Sequence, residues 1–143
     1  MINQMAKMTN TRNTIQRDAV YSLLKNDKSH PTAEALFLKA KQICPDISLA
    51  TVYRHLKNFC AENKAIVVES EDKKVHYDGD VSPHSHFVCK KCGKIYDIFE
   101  VPAIPKEFLQ KNGFSVERES CTYFGFCPDC NNKTKIILSG ENL

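Results

Sequence analysis

No stretch of this chain is apolar for anything near the roughly 20 residues that a membrane-spanning helix needs, so no such helix is expected. Residues Met1 to Arg17 are polar and lack the apolar core of an export signal. Charge of one sign is scarce. With 20 Lys and Arg against 17 Asp and Glu, the formal net charge is only +3, too little to argue for a nucleic-acid partner by itself. The excess is nevertheless one-sided: residues 1–78 carry twelve basic and nine acidic side chains, and residues 79–143 carry eight of each. There is no internal repeat. Seven cysteines cannot all pair, and four of them fall in metal-type pairs, which suits a reducing cytoplasm better than secretion. At 143 residues, 42% hydrophobic and 26% charged, the composition is that of a soluble globular protein of one or two small domains.

The strongest signal is a pair of Cys-x-x-Cys motifs, Cys89/Cys92 and Cys127/Cys130, separated by 34 residues. Four thiolates at this spacing can converge on one tetrahedral ion, usually zinc. Gly93 after the first pair and Pro128 within the second suit chain reversal around an ion. A redox dithiol usually stands alone beside a βαβ pattern, and no such pattern is present. Cys44, Cys60 and Cys121 fall in apolar surroundings and read as core or near-core thiols.

The two halves differ in period. Ile15, Ala19, Val20, Leu23 and Leu24 recur at helical spacing from Thr14 to Lys25. Pro31 and Thr32 open a second helix with Ala33, Leu36, Phe37, Ala40 and Ile43 inward. Ser48 caps a third, whose apolar stripe is Leu49, Val52, Tyr53, Leu56 and Phe59. A hairpin follows, Ile66 to Glu69 and Val75 to Tyr77, around a charged tip. Three helices and a hairpin make a winged helix-turn-helix, its third helix suited to the major groove. Tyr53 suits thymine methyls, Arg54 guanine or a phosphate, and Ser48 and Thr51 phosphates at the helix start. His55 and His76 are expected near DNA or solvent. Gly79 to Pro83 reads as a hinge.

Beyond the hinge the pattern is β-like. Phe87 to Cys89 and Ile95 to Phe99 flank the first cysteine pair, and Phe114 to Phe126 forms another strand run, with Phe114, Val116, Tyr123 and Phe126 as candidate buried positions. Ala103 to Asn112 reads as a short helix, started after Pro102 or else only at Pro105, and stopped by Gly113. Ile136, Ile137 and Leu138 dock or fray. The expected architecture is α+β: residues 1–78 winged helix, 79–83 hinge, and 84–143 a second, α/β domain holding the four-cysteine zinc site.

A second donor set is made of nitrogen and oxygen. In an extended segment His84 and His86 point to the same side. His30 before the second helix, Asp78 at the end of the wing and Asp97 on a strand are further candidates. Such a set suits Fe(II), Mn(II), Co(II) or Zn(II), its carboxylates favouring Mn and Fe, and an ion held by all five residues would clamp the two domains together. Asp78 as a turn former and Asp97 as an exposed strand residue are the plain alternatives.

Ser48-Leu-Ala-Thr-Val-Tyr-Arg54, His30-Pro-Thr32, His84-x-His86-x-x-Cys89-x-x-Cys92-Gly93 and the closing Cys127-x-x-Cys130 together resemble the ferric uptake regulator (Fur) superfamily, over about Thr14 to Cys130. The resemblance implies a homodimeric, metal-dependent repressor with a winged-helix DNA-binding domain and an α/β dimerisation domain. Aspartate at 97 is similar to the peroxide-responsive PerR branch, whereas Arg54 is the residue of the iron sensors. The implied regulatory ligands are His30, Asp78, His84, His86 and Asp97, and Arg17 resembles the family's minor-groove or backbone arginine. For a peroxide sensor, Fe(II) or Mn(II) at that site, oxidation of His30 or His84, and a palindromic A/T-rich operator are implied. The rivals are an iron-responsive repressor blind to peroxide and, from a different class, a thiol-disulfide protein. A metal hydrolase lacks an evident nucleophile or base beside the ligands.

Overall fold

The computed structural model describes residues 11–100 and 104–131. They form two compact units, one of residues 11–68 with 74–81, the other of residues 69–73 with those from 82 onward.

The first unit contains α1 (Arg12–Asn26), α2 (Ala33–Ile43) and α3 (Leu49–Ala61), then the antiparallel strands β1 (Ile66–Val68) and β2 (His76–Asp78). Each helix begins at a hydroxyl cap. Thr11, Thr32 and Ser48 accept from the backbone N–H groups of Thr14, Ala35 and Thr51, a contact usually contributing about 1 kcal/mol. The core is built from one face of each helix, with Val20 and Leu24, Leu36 and Ala40, and Val52, Leu56 and Phe59, closed by Ile47, Ala65 and Tyr77. Truncating the fully buried Phe59 to alanine would cost about 3–5 kcal/mol. This is the expected winged helix-turn-helix. Three expectations fail here. Tyr53, read as part of the apolar stripe of α3, is exposed, because the buried face of that helix runs through Val52, His55, Leu56 and Phe59. Ile43 is exposed, because the inward stripe of α2 ends at Ala40 and Ile43 is its last helical residue. His55 is buried and not near solvent: it lies three residues after Val52 and four before Phe59, within the core-facing stripe.

The second unit contains a three-stranded sheet of order β4-β3-β5, from β3 (Ser85–Cys89), β4 (Ile95–Ile98) and β5 (Thr122–Gly125), with α4 (Lys106–Lys111). β3 pairs antiparallel with β4 and parallel with β5. α4 starts only after Pro105, which lacks the N–H an interior helical position needs. The long strand expected over 114–126 shrinks to β5, and Phe114, Tyr123 and Phe126 are exposed instead of buried. Among the described residues, nothing covers them. Residues 136–138 lie outside the described residues. Among the described residues no helix is long and apolar enough to cross a membrane.

Candidate metal centres and nucleic-acid interface

Cys89 ends β3, Cys92 and Gly93 form the turn into β4, and Cys127 and Cys130 follow β5. The sheet order therefore brings both cysteine pairs to one end of β3. Gly93 sits at φ 76, a conformation that favours glycine, and its N–H donates to the Cys89 carbonyl. The four Sγ atoms lie within 4.8 Å of one another, and those of Cys92 and Cys127 are 3.8 Å apart. Tetrahedral zinc with Zn–S bonds of about 2.3 Å requires sulfurs roughly 3.8 Å apart, so the donors fit zinc. The backbone N–H groups of Cys92 and Cys127 both point at Cys89 Sγ, at 3.5 and 3.4 Å. They pull the Cys89 thiol down to about 6. Cys130, hydrogen-bonded to Cys127, is pushed up to about 12. The Tyr96 hydroxyl donates to Cys127 and lowers it. None of the seven cysteines is disulfide-bonded.

The nitrogen and oxygen donors occur in two groups, one in each unit. In the first, His30 takes a left-handed φ of 56 just before α2. Its carbonyl accepts from His76 Nδ1 at 2.7 Å, and the Pro31 carbonyl accepts from the Tyr77 N–H. These bonds tie the α2 entry to β2 and set His30 Nε2 3.4 Å from Asp78 Oδ2, both side chains buried. His76 is thus a tether to His30, a role that no local pattern in the sequence signals.

In the second group, His86 and Asp97 are paired across β3 and β4, and His84 precedes β3 by one residue. His84 Nδ1 donates to the Ser82 carbonyl at 2.6 Å, which leaves the lone pair on Nε2. That Nε2 is 3.1 Å from His86 Nε2 and 3.2 Å from Asp97 Oδ1, and His86 Nε2 is 3.3 Å from the same oxygen. Neighbouring donors of an octahedral ion with bonds of about 2.1–2.2 Å are roughly 3 Å apart, so this triangle has the dimensions of one octahedral face. Two imidazoles and a carboxylate on one face suit Fe(II) or Mn(II).

In the winged helix, Tyr53 and Arg54 project from the exposed side of α3. Tyr53 donates to Glu34, which raises the phenol and lowers the carboxyl. Arg54 donates to Asn13 at 2.7 Å. Arg17 lies over the Phe59 ring and pairs with Glu62 at 2.6 Å. Ser48 and Thr51 form the capped start of α3 and line a groove with Arg12, Asn13, Gln16, Asp46 and Arg54.

Residues 8–124 match the Ferric uptake regulator family. The chain is 33% identical over 130 residues to the peroxide operon regulator of Bacillus subtilis, covering 89% of each chain. It is 36% identical over 135 residues to the ferric uptake regulation protein of Campylobacter jejuni, covering 87% of this chain and 83% of that one. Its fold is similar to the crystal structure of the Campylobacter jejuni peroxide stress regulator, with a TM-score of 0.71, 31% identity, and coverage of 91% and 99%. By its sequence match and its fold alike, this chain belongs to the ferric uptake regulator family.

Proposed function

We propose that the protein is a metal-dependent, DNA-binding repressor that responds to peroxide. The observation that carries this reading is the triangle of His84, His86 and Asp97, whose edges of 3.1 to 3.3 Å suit an octahedral ion. In this reading His30 and Asp78 complete the donor set, and residues 79–83 are the hinge between a DNA-binding domain of residues 1–78 and a dimerisation domain of residues 84–143. When bound, Fe(II) or Mn(II) supplies concentrated positive charge, and Fe(II) also supplies one-electron chemistry with peroxide.

The protein's own residues do the rest. Engagement of all five donors together selects one arrangement of the two domains. Preference for that state by about 1–3 kcal/mol changes DNA affinity about 5- to 150-fold. Cys89, Cys92, Cys127 and Cys130 hold structural zinc and keep β3, β4 and β5 in register. The exposed Phe114, Tyr123 and Phe126 suit coverage by a second copy, as in a homodimer. Two copies present two α3 helices, which fits a palindromic, A/T-rich operator read by Tyr53 and Arg54, with Ser48, Thr51 and Arg17 on the backbone. An imidazole oxidised at His30 or His84 donates poorly, and the arrangement relaxes. The cytoplasm is the expected compartment.

Arg54 favours a second reading, an iron-responsive repressor that is indifferent to peroxide. Binding of a duplex selected from a random pool, with Fe(II) or Mn(II) and with or without peroxide, separates the two. Loss of binding only for the iron form treated with peroxide supports the first reading; unchanged binding supports the second.

A further inference from the structure

Tyr53 stands on the outer side of α3 with 42% of its surface exposed, yet its hydroxyl is already engaged: it donates to the carboxylate of Glu34, in the first turn of α2. The protonation states fit that direction. The Tyr53 hydroxyl, then the residue's own backbone N–H, hold the Glu34 carboxyl below its ordinary 4.5, and the Glu34 carboxylate holds the phenol above its ordinary 10.0. A charged acceptor makes such a bond roughly twice as strong as one between neutral groups. Glu34 also rises from a fixed backbone. Thr32 caps α2 and bridges to His76, and the Pro31 carbonyl accepts from the Tyr77 N–H, so the entry of the helix is tied to β2. α3 is held by its Ser48 cap and by the buried Val52, Leu56 and Phe59. With both helices set, the freedom left to Tyr53 is rotation of its own side chain, and the bond to Glu34 removes it. Arg54, next along α3, is held from a third element, by Asn13 of α1 at 2.7 Å.

We propose that Glu34 is a positioning residue for base recognition: it occupies the Tyr53 hydroxyl and locks the ring, so that Tyr53 selects thymine by apolar contact alone. The proposal rests on the DNA-binding reading above and adds to it a residue outside the third helix. Two modes of reading are open to a tyrosine in the major groove. A free phenol donates to thymine O4, to guanine O6 or N7 and to adenine N7, and so discriminates little between bases. A phenol whose proton is directed at Glu34 turns no donor toward those acceptors. Its ring then distinguishes bases by the C5 methyl group, which thymine alone carries there. A ring already fixed in one rotamer also avoids the ordering cost of binding.

The test uses the full chain, loaded with Mn(II), and a fluorescent duplex that the protein selects from a random pool. Each thymine in turn is replaced by uracil, which lacks only the methyl group. For the wild type, at least one position per half-site should lose about fourfold in affinity, the contribution of one buried methyl group. Glu34→Ala should weaken binding to the thymine duplex about two- to tenfold, as expected when one side chain must be ordered anew, and the uracil effect at that position should largely disappear. Tyr53→Phe keeps the ring, drops the hydroxyl and should do the same, and the double variant should be no weaker than either single one. Glu34→Gln keeps an acceptor without the charge and should retain the uracil effect. Thermal unfolding checks that each variant is folded; if Glu34→Ala is not, Tyr53→Phe and Glu34→Gln decide by the same readout. A folded Glu34→Ala variant that keeps the uracil effect, tightens binding equally at every position, or adds its loss to that of Tyr53→Phe overturns the proposal. So does a wild type indifferent to uracil throughout. If the wild type binds no duplex at all, the DNA-binding reading fails and the proposal with it.

Discussion

His86 and Asp97 stand opposite each other across the β3–β4 pair, with Nε2 and Oδ1 3.3 Å apart. Sheet register, which the backbone fixes, thereby sets the spacing of two donors before any ion arrives. His84, two residues back and on the same face, adds a third at 3.1 Å from His86. Preorganisation of this kind lowers the ordering cost of binding, and it makes the triangle sensitive to anything that shifts β4 against β3.

Zinc should hold that register. Cys92→Ser removes one of four sulfurs from a cluster whose members lie within 4.8 Å. Because zinc binding and folding are the same free energy in such sites, the variant should lose its zinc, and its sheet signal by circular dichroism should fall with it. Zinc near one per chain with an unchanged spectrum would contradict this.

Gly79 follows Asp78 directly, and a side chain there would meet backbone. An added Cβ would lie 2.9 Å from Lys25 Cα and 3.1 Å from the Leu24 carbonyl carbon and oxygen. Gly79→Ala should therefore destabilise the winged-helix unit by about 1–3 kcal/mol in thermal unfolding, and it should weaken Mn(II) binding through displaced Asp78. A melting temperature equal to the wild type would show that the contact yields freely.

His55 gives a pH dependence of definite sign. Burial first, then the nearby Arg54 and Arg17 guanidiniums, hold its pKa below the ordinary 6.5. Neither ring nitrogen has a hydrogen-bond partner among the described residues, and the ring stacks on Phe59. The unfolded chain thus binds this proton more readily than the folded one. The stability from neutral His55 is fully present above about pH 6.5 and is lost as pH falls toward the folded-state value. His55→Phe should reduce the acid sensitivity of helix unfolding, so the variant gains on the wild type as pH falls from about 7.5 to about 5. Parallel stability curves would refute the buried-neutral assignment.

Peroxide leaves a chemical record. Treatment of the Fe(II) form should add single oxygens to peptides containing His30 or His84, measured by mass spectrometry, and the Mn(II) form should stay unmodified. Zinc should remain at one per chain. Modification confined to cysteine, with zinc released, would favour the thiol-disulfide rival instead.

Much of this is legible in the sequence because it rests on local rules. Thr32 and Ser48 announce their helices through capping chemistry, and the two cysteine pairs announce zinc through spacing alone. Strand alternation assigns His84 and His86 to one face. What escapes is of longer range. The polarity of His55 suggests solvent, but its position in the Val52–Phe59 stripe decides, and the stripe faces the core. Phe114, Tyr123 and Phe126 are large and apolar, which suggests the interior, yet whether a sheet face is covered depends on what lies against it, and no single strand encodes that. The pairing of His30 with Asp78 depends on the tether from His76 to the His30 carbonyl, a contact between residues 46 apart.

The most direct measurement is duplex binding by the double variant His84→Ala, Asp97→Ala, followed by fluorescence anisotropy with added Mn(II) and again after chelation. The account predicts a folded, zinc-containing protein whose affinity with Mn(II) is no greater than that of the chelated wild type. Wild-type affinity, lost on chelation as in the parent, would contradict it.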